Sequence, residues 1–432
     1  MKLLKKIIAD LLEFEARLVL KKYHPKIVGV TGNVGKTSTK EAIASVLRNI
    51  GTVRASEKSY NSEFGLPLTI LDCKTGWKNP FRWLANLLEG LSLIFFPHHY
   101  PEWLVLEIGA DKPGDIKKVA KWLQLNVAVI TRIGEMPVHV EFFKDAEALA
   151  AEKSQIIYAL TVGGDLVLNG DDSIVSDMKS MTPLKATSYG FKDGSVVRAS
   201  NNHMVYETVN GLKTPMGVTF KVDYDGKSFP IHLNNFFGSK NIYSALAAIA
   251  VGVTQNINII SIIESIGKLR NPPGRLHLLP GIKNTIIVDD TYNASPTATK
   301  LALESLHEAE VDGRKIAALG DMLELGKLTV EAHEEIGRVA AKSCDILFAV
   351  GPRAKLIYDA ALGAGMSEDK VKHFDDSVTA GRGLDKIVEK GDIILVKGSQ
   401  RVRMEKCVEE IMAEPERKKD LLVRQDPEWM VR

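Results

Sequence analysis

Cysteine is scarce: Cys73, Cys344 and Cys407 are the only three in 432 residues. They lie too far apart to form a local zinc knuckle, and a sparse, odd count suits a reducing compartment. An excess of one charge is lacking too. The formal net charge is +2, which argues against a broad nucleic-acid footprint, since that needs a basic stripe. No uninterrupted apolar run reaches the length of about 18 residues that spans a bilayer. The nearest, Trp83 to Phe96, is broken by Glu89. The opening Met-Lys-Leu-Leu-Lys-Lys is charged like a secretory n-region, but Asp10, Glu13, Glu15 and Arg17 interrupt the apolar core that would have to follow. Tandem repeats and low-complexity tracts are absent as well. These exclusions leave a cytoplasmic protein, with peripheral attachment to the inner face of the membrane as a further option. What is present is an ordinary globular mix, 45% hydrophobic and 25% charged, in a length that allows about three domains.

Residues 1–24 read as an amphipathic helix. Leu3, Leu4, Ile7, Ile8, Leu11, Leu12, Leu18 and Val19 fall on one stripe at helical spacing, and Lys2, Lys5, Lys6, Asp10, Arg17 and Lys21 sit away from it. Such a helix either docks on the next domain, the reading preferred here, or lies on a bilayer through residues 1–22. From Lys26 the pattern becomes strand, glycine loop, helix, and apolar runs at Leu104–Ile108 and Val127–Thr131 continue a parallel α/β sheet. Between 185 and 236, Asp193-Gly194, Asn210-Gly211 and Asp225-Gly226 punctuate β-rich runs as hairpin turns do. A helix around Tyr243–Val251 returns the chain to α/β, and Asn271-Pro272-Pro273-Gly274 breaks it. Five further short apolar strands, Thr285–Asp289, Lys315–Leu319, Ile346–Val350, Val371–Phe374 and Ile393–Val396, predict a second doubly wound sheet. The expected fold is α/β: a P-loop domain at 25–272 with a parallel sheet and a small antiparallel β insertion, then a Rossmann-like domain at 273–413. A charged, partly loose tail follows at 414–432.

The most informative segment is Gly29-Val30-Thr31-Gly32-Asn33-Val34-Gly35-Lys36-Thr37-Ser38-Thr39. It follows a strand and precedes a helix, the setting a phosphate loop requires. Glycines let backbone N–H groups turn inward and cradle phosphate oxygens at a helix N-terminus. Lys36 then reaches the β- and γ-phosphates, and the Thr37 hydroxyl is placed to ligate Mg²⁺. The strict spacing asks for glycine at position 30, where this chain has valine. Glu107 ends a parallel strand beside the loop and can hold the same Mg²⁺.

The form Thr-Gly-x-x-Gly-Lys-Thr-x-Thr resembles the Mur ligase and folylpolyglutamate synthase superfamily, whose members couple ATP hydrolysis to amide bonds through an acyl phosphate. The resemblance implies ATP as nucleotide, with Gly32, Asn33, Val34, Gly35, Lys36, Thr37 and Ser38 around its phosphates, and two Mg²⁺ sites. Asn61-Ser62-Glu63-Phe64-Gly65 resembles the family's asparagine-rich loop, with Asn61 as a substrate contact. Leu106-Glu107-Ile108-Gly109-Ala110 resembles its metal-binding glutamate segment. His139, behind Thr131-Arg132-Ile133-Gly134 and the extra residues Glu135-Met136-Pro137, matches a histidine that ligates the second Mg²⁺. Lys153 matches a lysine that several members carbamylate with CO₂, giving an anion able to join a metal site; a solvated helix lysine is the alternative. Asn169-Gly170-Asp171-Asp172 resembles a turn that is structural or nucleotide-adjacent. Asn241 matches an asparagine near the adenine, although Lys240 and Ser244 replace the family's histidine and second asparagine.

Arg275, in Pro273-Gly274-Arg275, resembles a hinge arginine that meets ATP phosphates on closure. Asp290 and Asn293, in Asp289-Asp290-Thr291-Tyr292-Asn293-Ala294, resemble a nucleotide-contacting turn, and its Tyr-Asn-Ala form favours the branch that adds D-alanyl-D-alanine. Asp321, in Leu319-Gly320-Asp321-Met322 with His333 behind it, and Lys397, in Val396-Lys397-Gly398-Ser399, match that branch and imply contacts to the incoming amine. The implied activity is an ATP-dependent, ADP-forming ligase of peptidoglycan precursor synthesis. It would join a peptidyl precursor to D-alanyl-D-alanine or a similar amine, as a monomer that binds no nucleic acid. Lys36, Lys153, His139 and Arg275 are the implied catalytic groups. The relative with a four-cysteine zinc ribbon is excluded by cysteine count. The phosphate loop begins by residue 29, so a single helix stands where the branch usually carries a UDP-sugar-binding domain, and the handling of a nucleotide-sugar stays open. Two alternatives remain: a folylpolyglutamate-synthase-like ligase acting on another acceptor, or a non-catalytic, membrane-associated nucleotide-binding scaffold.

Overall fold

The computed structural model describes residues 2–56, 64–77, 79–134, 143–238, 241–426 and 429. Two sheets organise them. The first contains β1 (Lys26–Thr31), β2 (Val53–Ala55), β3 (Trp103–Glu107), β4 (Leu125–Ile130), β5 (Leu160–Asn169), β6 (Ala186–Gly190), β7 (Val197–Val209), β8 (Leu212–Tyr224) and β9 (Lys227–Asn234). Its nine strands lie in the order β2-β3-β1-β4-β5-β6-β7-β8-β9. Pairing is parallel from β2 through β7 and antiparallel from β7 to β9. The antiparallel strands therefore extend the parallel sheet itself.

Asn210-Gly211 and Asp225-Gly226 close two-residue hairpins with positive φ at both residues, 53° and 77°, then 51° and 71°, the twist-matched geometry that asparagine, aspartate and glycine permit. Asp193-Gly194 differs from the expected hairpin. The strands on either side of it, β6 and β7, pair parallel through Tyr189 and Val197, so the turn only redirects the chain.

The second sheet contains β10 (His277–Gly281), β11 (Thr285–Asp290), β12 (Lys315–Gly320), β13 (Ile346–Val350), β14 (Val371–Phe374) and β15 (Ile393–Lys397). Its order is β10-β11-β15-β12-β13-β14, and only β10 runs antiparallel to its neighbour. In both sheets the side-chain alternation feeds two cores. Val28, Val30, Val105, Val127 and Val129 face the helices Lys36–Leu47 and Ile242–Thr254, whereas Ile27, Leu104, Leu106, Ala128 and Ile130 face the opposite layer. Strands buried on both faces read as continuous apolar runs. The helix Ile242–Thr254 is apolar nearly all round because it is enclosed: every residue from Ala245 to Val251 is buried. The tips of β7 and β8 also reach the second sheet's layer. Asn210 donates to Asn284 at 3.2 Å, the Lys213 amide to Asp312 at 2.6 Å and the Glu310 amide to the Tyr206 hydroxyl at 2.9 Å, and Lys213 pairs with Glu310.

The first helix, Lys2–Tyr23, docks on the protein, but its apolar stripe is covered unevenly. Of the stripe, Leu12 and Val19 are buried, whereas Ile7 and Leu11 are exposed; outside it Ala16 is buried and Phe14 exposed. It packs beside the helix Pro80–Phe95, where Glu15 lies against Gly90; a Cβ there would meet Glu15 Oε2 at 2.1 Å. The described residues of the tail, to Asp426 and Trp429, include buried side chains. Leu422 and Arg424 are buried, and short helical turns at Pro415–Arg417 and Lys418–Leu421 precede them.

Glu15 Oε2 has no hydrogen-bond partner among the described residues, and burial pushes its carboxyl up to about 7. The folded state thus holds this proton over a range where the unfolded chain has released it. Its contribution is fully present below the ordinary carboxylate value and is lost as pH rises toward 7. Relative to Glu15→Gln, the wild-type protein should lose about 1–2 kcal/mol of stability between pH 4.5 and 8 in urea titrations, allowing for partial solvent screening. A constant difference across that range would contradict the assignment.

Candidate active site

The phosphate loop leaves β1 at its C-terminal end. Gly32 (φ 138°) and Gly35 (φ 85°) take backbone conformations that side chains disfavour. A Cβ on Gly32 would meet Thr131 Oγ1 at 2.0 Å, so only glycine lets the loop lie this close to β4. The loop is fixed from the β4 side. The amides of Asn33 and Val34 donate to the Arg132 carbonyl at 2.8 and 3.1 Å, and Asn33 Nδ2 donates to the Ile133 carbonyl at 2.7 Å. Behind that turn, Asp172 Oδ2 accepts from the Ile133 and Gly134 amides, both at 2.9 Å. The Asn-x-Asp-Asp turn is therefore a brace for the loop's own brace.

Lys36 begins the helix Lys36–Leu47 and folds back to donate to the Gly32 carbonyl at 2.9 Å. Burial lowers the proton affinity of its ammonium; Glu107 opposes that effect, and Arg275 adds to it. Ser38 lies half-buried in the same first turn. Thr37 Oγ1 donates to Glu107 Oε2 at 2.9 Å and accepts from an Arg275 Nη at 3.0 Å. A hydroxyl and a carboxylate so close are hard oxygen donors of the kind Mg²⁺ takes when it keeps waters and substrate phosphates as its other ligands. Among the described residues no group of three His, Cys, Asp or Glu gathers as a metal cage, so Thr37 and Glu107 fit a metal that arrives with phosphate.

Lys153, in the helix Ala146–Ser154, is buried, and its amine is lowered to about 7, by burial first and then by the Lys36 charge. Its neighbour Glu152 turns away to accept from the amides of Gly114, Ile116 and Lys117 at 2.9, 2.6 and 3.2 Å. Lys153 is thus a buried amine within electrostatic reach of Lys36, Asp111 and Glu107, rather than a solvated helix residue.

Arg275 belongs to the segment joining the two sheets. Its guanidinium lies over the Tyr292 ring, 3.9 Å from the centroid. Asp290 pairs with Lys397 at 2.5 Å, and Lys397 also donates to the Asn293 carbonyl at 3.0 Å. Burial pushes the Asp290 carboxyl up, against the Lys397 ammonium beside it. Asn293 accepts from its neighbour Ala294 at 2.9 Å. Asp321 accepts from the Ala354 amide at 2.7 Å, while its own carbonyl accepts from the Ser399 amide at 3.0 Å. Asp290, Asn293, Asp321 and Lys397 thus meet at one edge of the second sheet. His333 is buried between the Met322 amide and the Thr329 carbonyl and supports this edge from behind. Asn241 stands apart at the start of the helix Ile242–Thr254, donating to the Phe237 carbonyl at 3.0 Å. Asn61 and His139 lie outside the described residues.

Two contributors carry no local sequence signal. Lys40 is fully buried and donates to the Ser56 carbonyl, and Ser56 Oγ accepts from the Glu107 amide at 3.3 Å, fixing that carboxylate's strand end. Arg424, from the tail, donates to the Thr291 carbonyl at 3.1 Å, to the Tyr292 carbonyl, and to Glu405 at 2.8 Å. It holds the turn whose tyrosine backs Arg275.

A phosphate loop at the ligand edge of one parallel sheet, with an arginine from the link to a second sheet over it, defines a two-sheet P-loop protein. Two family models give it a lineage: the Mur ligase middle domain matches residues 85–252, and the Mur ligase, glutamate ligase domain matches residues 274–400. Together these matches span more than half of the chain, and it belongs to the Mur ligase family. It is 29% identical to the UDP-N-acetylmuramoyl-tripeptide--D-alanyl-D-alanine ligase of Bacillus subtilis over 93% of this chain and 79% of that protein. The Escherichia coli protein of that name is 26% identical over 89% and 76%. Among solved structures, the MurF ligase of Thermotoga maritima in complex with ADP superposes with a TM-score of 0.76 at 27% identity, over 95% of this chain and 84% of that one. The pseudomurein peptide ligase type C of Methanothermus fervidus shares the fold at 19% identity, with a TM-score of 0.61 over 90% and 79%.

Arg424→Ala removes charged hydrogen bonds to two carbonyls and a buried carboxylate. It should cost about 2–3 kcal/mol of stability in denaturant titrations. It should also raise the KM for ATP about tenfold, because about 1.4 kcal/mol of lost Arg275 positioning corresponds to a factor of ten.

Proposed function

We propose that the chain is an ATP-dependent, ADP-forming carboxylate–amine ligase that joins a peptidyl precursor of the cell wall to D-alanyl-D-alanine or a closely similar amine. The observation that carries this reading is the Arg275–Thr37–Glu107 contact. It puts a cation from the link between the sheets on the phosphate loop's hydroxyl and carboxylate. In the reaction, a carboxylate oxygen of the precursor attacks the γ-phosphorus of ATP and the bond to the β–γ bridging oxygen breaks, giving an acyl phosphate and ADP. The amine nitrogen then adds to the acyl carbon, loses its proton, and expels inorganic phosphate.

Lys36 and Arg275 stabilise charge on the moving phosphoryl group, and the loop amides of Gly35, Lys36 and Thr37 hold the nucleotide in line. Thr37 and Glu107 would hold Mg²⁺, which lessens repulsion between the two anions. Residues 25–272 form the ATP-binding domain and residues 273–413 the domain that brings the amine, with Asp321 and Lys397 at its edge. Asn241, Asp290 and Asn293 serve the nucleotide, Asn61 the acyl substrate, and His139 with Lys153 the second metal. Lys153 acts after carbamylation: an amine that loses its proton near pH 7 is a nucleophile for CO₂ at neutral pH. The protein works in the cytoplasm as a monomer.

Phosphate release from ATP and Mg²⁺ should require both D-alanyl-D-alanine and a muramoyl-tripeptide acceptor. Release independent of both would favour the nucleotide-binding scaffold. Lys36→Ala should reduce turnover at least about a thousandfold, as loss of a phosphoryl-transfer cation does, with the melting temperature kept. Incubation with ¹³C-bicarbonate should give a carbamate carbon signal that is strong at pH 8, weak at pH 6 and missing from Lys153→Ala. Activity of that variant should recover in part with short-chain carboxylates, and an unmodified lysine with no rescue would refute carbamylation.

A further inference from the structure

The helix Pro80–Phe95 is apolar on two sides: Trp83, Leu87, Leu93 and Ile94 pack half-buried against the core, and a second apolar stripe is left outside. Asn86 and Gly90 face the protein, with the Asn86 amide donating to the Lys74 carbonyl at 2.9 Å. Phe81, Leu84, Leu88, Leu91 and Phe95, which recur at three- and four-residue steps along one stripe, face solvent; Phe81 and Phe95 are 80% and 73% exposed. Single exposed apolar residues are ordinary, but a contiguous stripe of this kind marks a contact surface. The surface does not end there. The first helix runs parallel to this one, and Lys22 donates to the Leu93 and Ile94 carbonyls at 2.9 and 3.1 Å, capping the neighbour's C-terminus. The exposed Ile7, Leu11 and Phe14 form a second stripe beside the Glu15 and Lys22 positions that touch the 80–95 helix.

The charges around this face decide what covers it. The first helix carries six cations against three carboxylates. Of those carboxylates, Glu13 is held by Arg17 at 2.5 Å and Lys118 at 3.3 Å and Glu15 is buried, which leaves Asp10 as the exposed one. The one carboxylate of the 80–95 helix, Glu89, pairs with Arg82 at 3.0 Å. Lys5, Lys6 and Lys21 remain exposed. A second copy of the chain would bring one basic surface against another across a twofold contact. Among the described residues no helix is long and apolar enough to cross a membrane. Apolar stripes flanked by lysine match an anionic lipid surface, where side chains enter the acyl boundary and ammonium groups meet headgroup phosphates. We propose that the paired helices Lys2–Tyr23 and Pro80–Phe95 dock the protein on an anionic membrane, with the 80–95 stripe as the inserting face. The ligase reading neither requires this docking nor is altered by it.

The test is sedimentation of the full chain with vesicles of about three parts phosphatidylglycerol to seven of phosphatidylcholine, against phosphatidylcholine alone, at low and high salt. Wild type should bind the anionic vesicles at least about tenfold more tightly than the neutral ones and lose binding as salt rises. Leu88→Glu with Phe95→Glu should weaken anionic binding at least about tenfold, since charge at that depth must be desolvated. Lys5→Glu with Lys6→Glu should weaken it by a similar factor and flatten the salt dependence. ATP-dependent phosphate release in solution should be unchanged in both variants, which separates this inference from the ligase assignment. If the glutamates lower the melting temperature, the pair Leu84→Ser and Leu91→Ser reads the same surface. No sedimentation with anionic vesicles at low salt would overturn the proposal. So would binding that survives in the folded Leu88→Glu, Phe95→Glu variant, or a concentration-dependent dimer that this variant abolishes while vesicles go unbound.

Discussion

The hydrogen bond from Arg275 to the Thr37 hydroxyl is the contact on which the functional architecture turns. One end lies in the first turn of a helix that can receive phosphate; the other lies in the segment that links the two sheets. A guanidinium suits this place because it stays charged, is planar, and can stack and donate at once. Here it does both, with Tyr292 beneath its face and Thr37 at an Nη atom. Everything behind Tyr292, including Arg424 and its partner Glu405, keeps that arginine aimed at the loop.

Burying charge to hold turns is a recurring solution in this molecule. Asp172 braces the backbone after β4, Asp290 and Lys397 close the turn after β11, and Arg424 sits between two carbonyls and a carboxylate. Desolvation makes each such group expensive unless its hydrogen-bonding capacity is used. In these cases it is largely used, and the return is fixed geometry at the ligand edges of both sheets. Lys153 differs in kind. Its environment lowers proton affinity instead of satisfying an ammonium, which is how an ordinary lysine becomes chemically available at neutral pH.

The strands, the two-sheet division and the phosphate loop were legible because each rests on short-range pattern: apolar runs of strand length, glycine spacing, and positive-φ turns at Asn210-Gly211 and Asp225-Gly226. The same local reasoning misread Asp193-Gly194, since a turn dipeptide does not say whether the next strand returns antiparallel or crosses over. Arg424 acts on residues 291 and 292, more than a hundred positions earlier, and no periodicity records a partner at that distance. Lys40 likewise carries no local signal, because the carbonyl it serves, that of Ser56, comes from outside the helix. For the first helix, the sequence pattern marks one apolar stripe, but only tertiary packing decides which part of it is covered.

The hairpin tip of β7 and β8 rests on the second sheet's layer through Asn210, Lys213 and Tyr206, all in solvent-facing contacts. Exposed ion pairs such as Lys213–Glu310 are weak and are screened by salt. These contacts join the two sheet layers at a point well away in sequence from the Arg275 link. The Lys213–Glu310 pair makes this second junction between the layers the more salt-sensitive of the two, so ionic strength bears on the hairpin tip before it bears on the buried turns at the ligand edges.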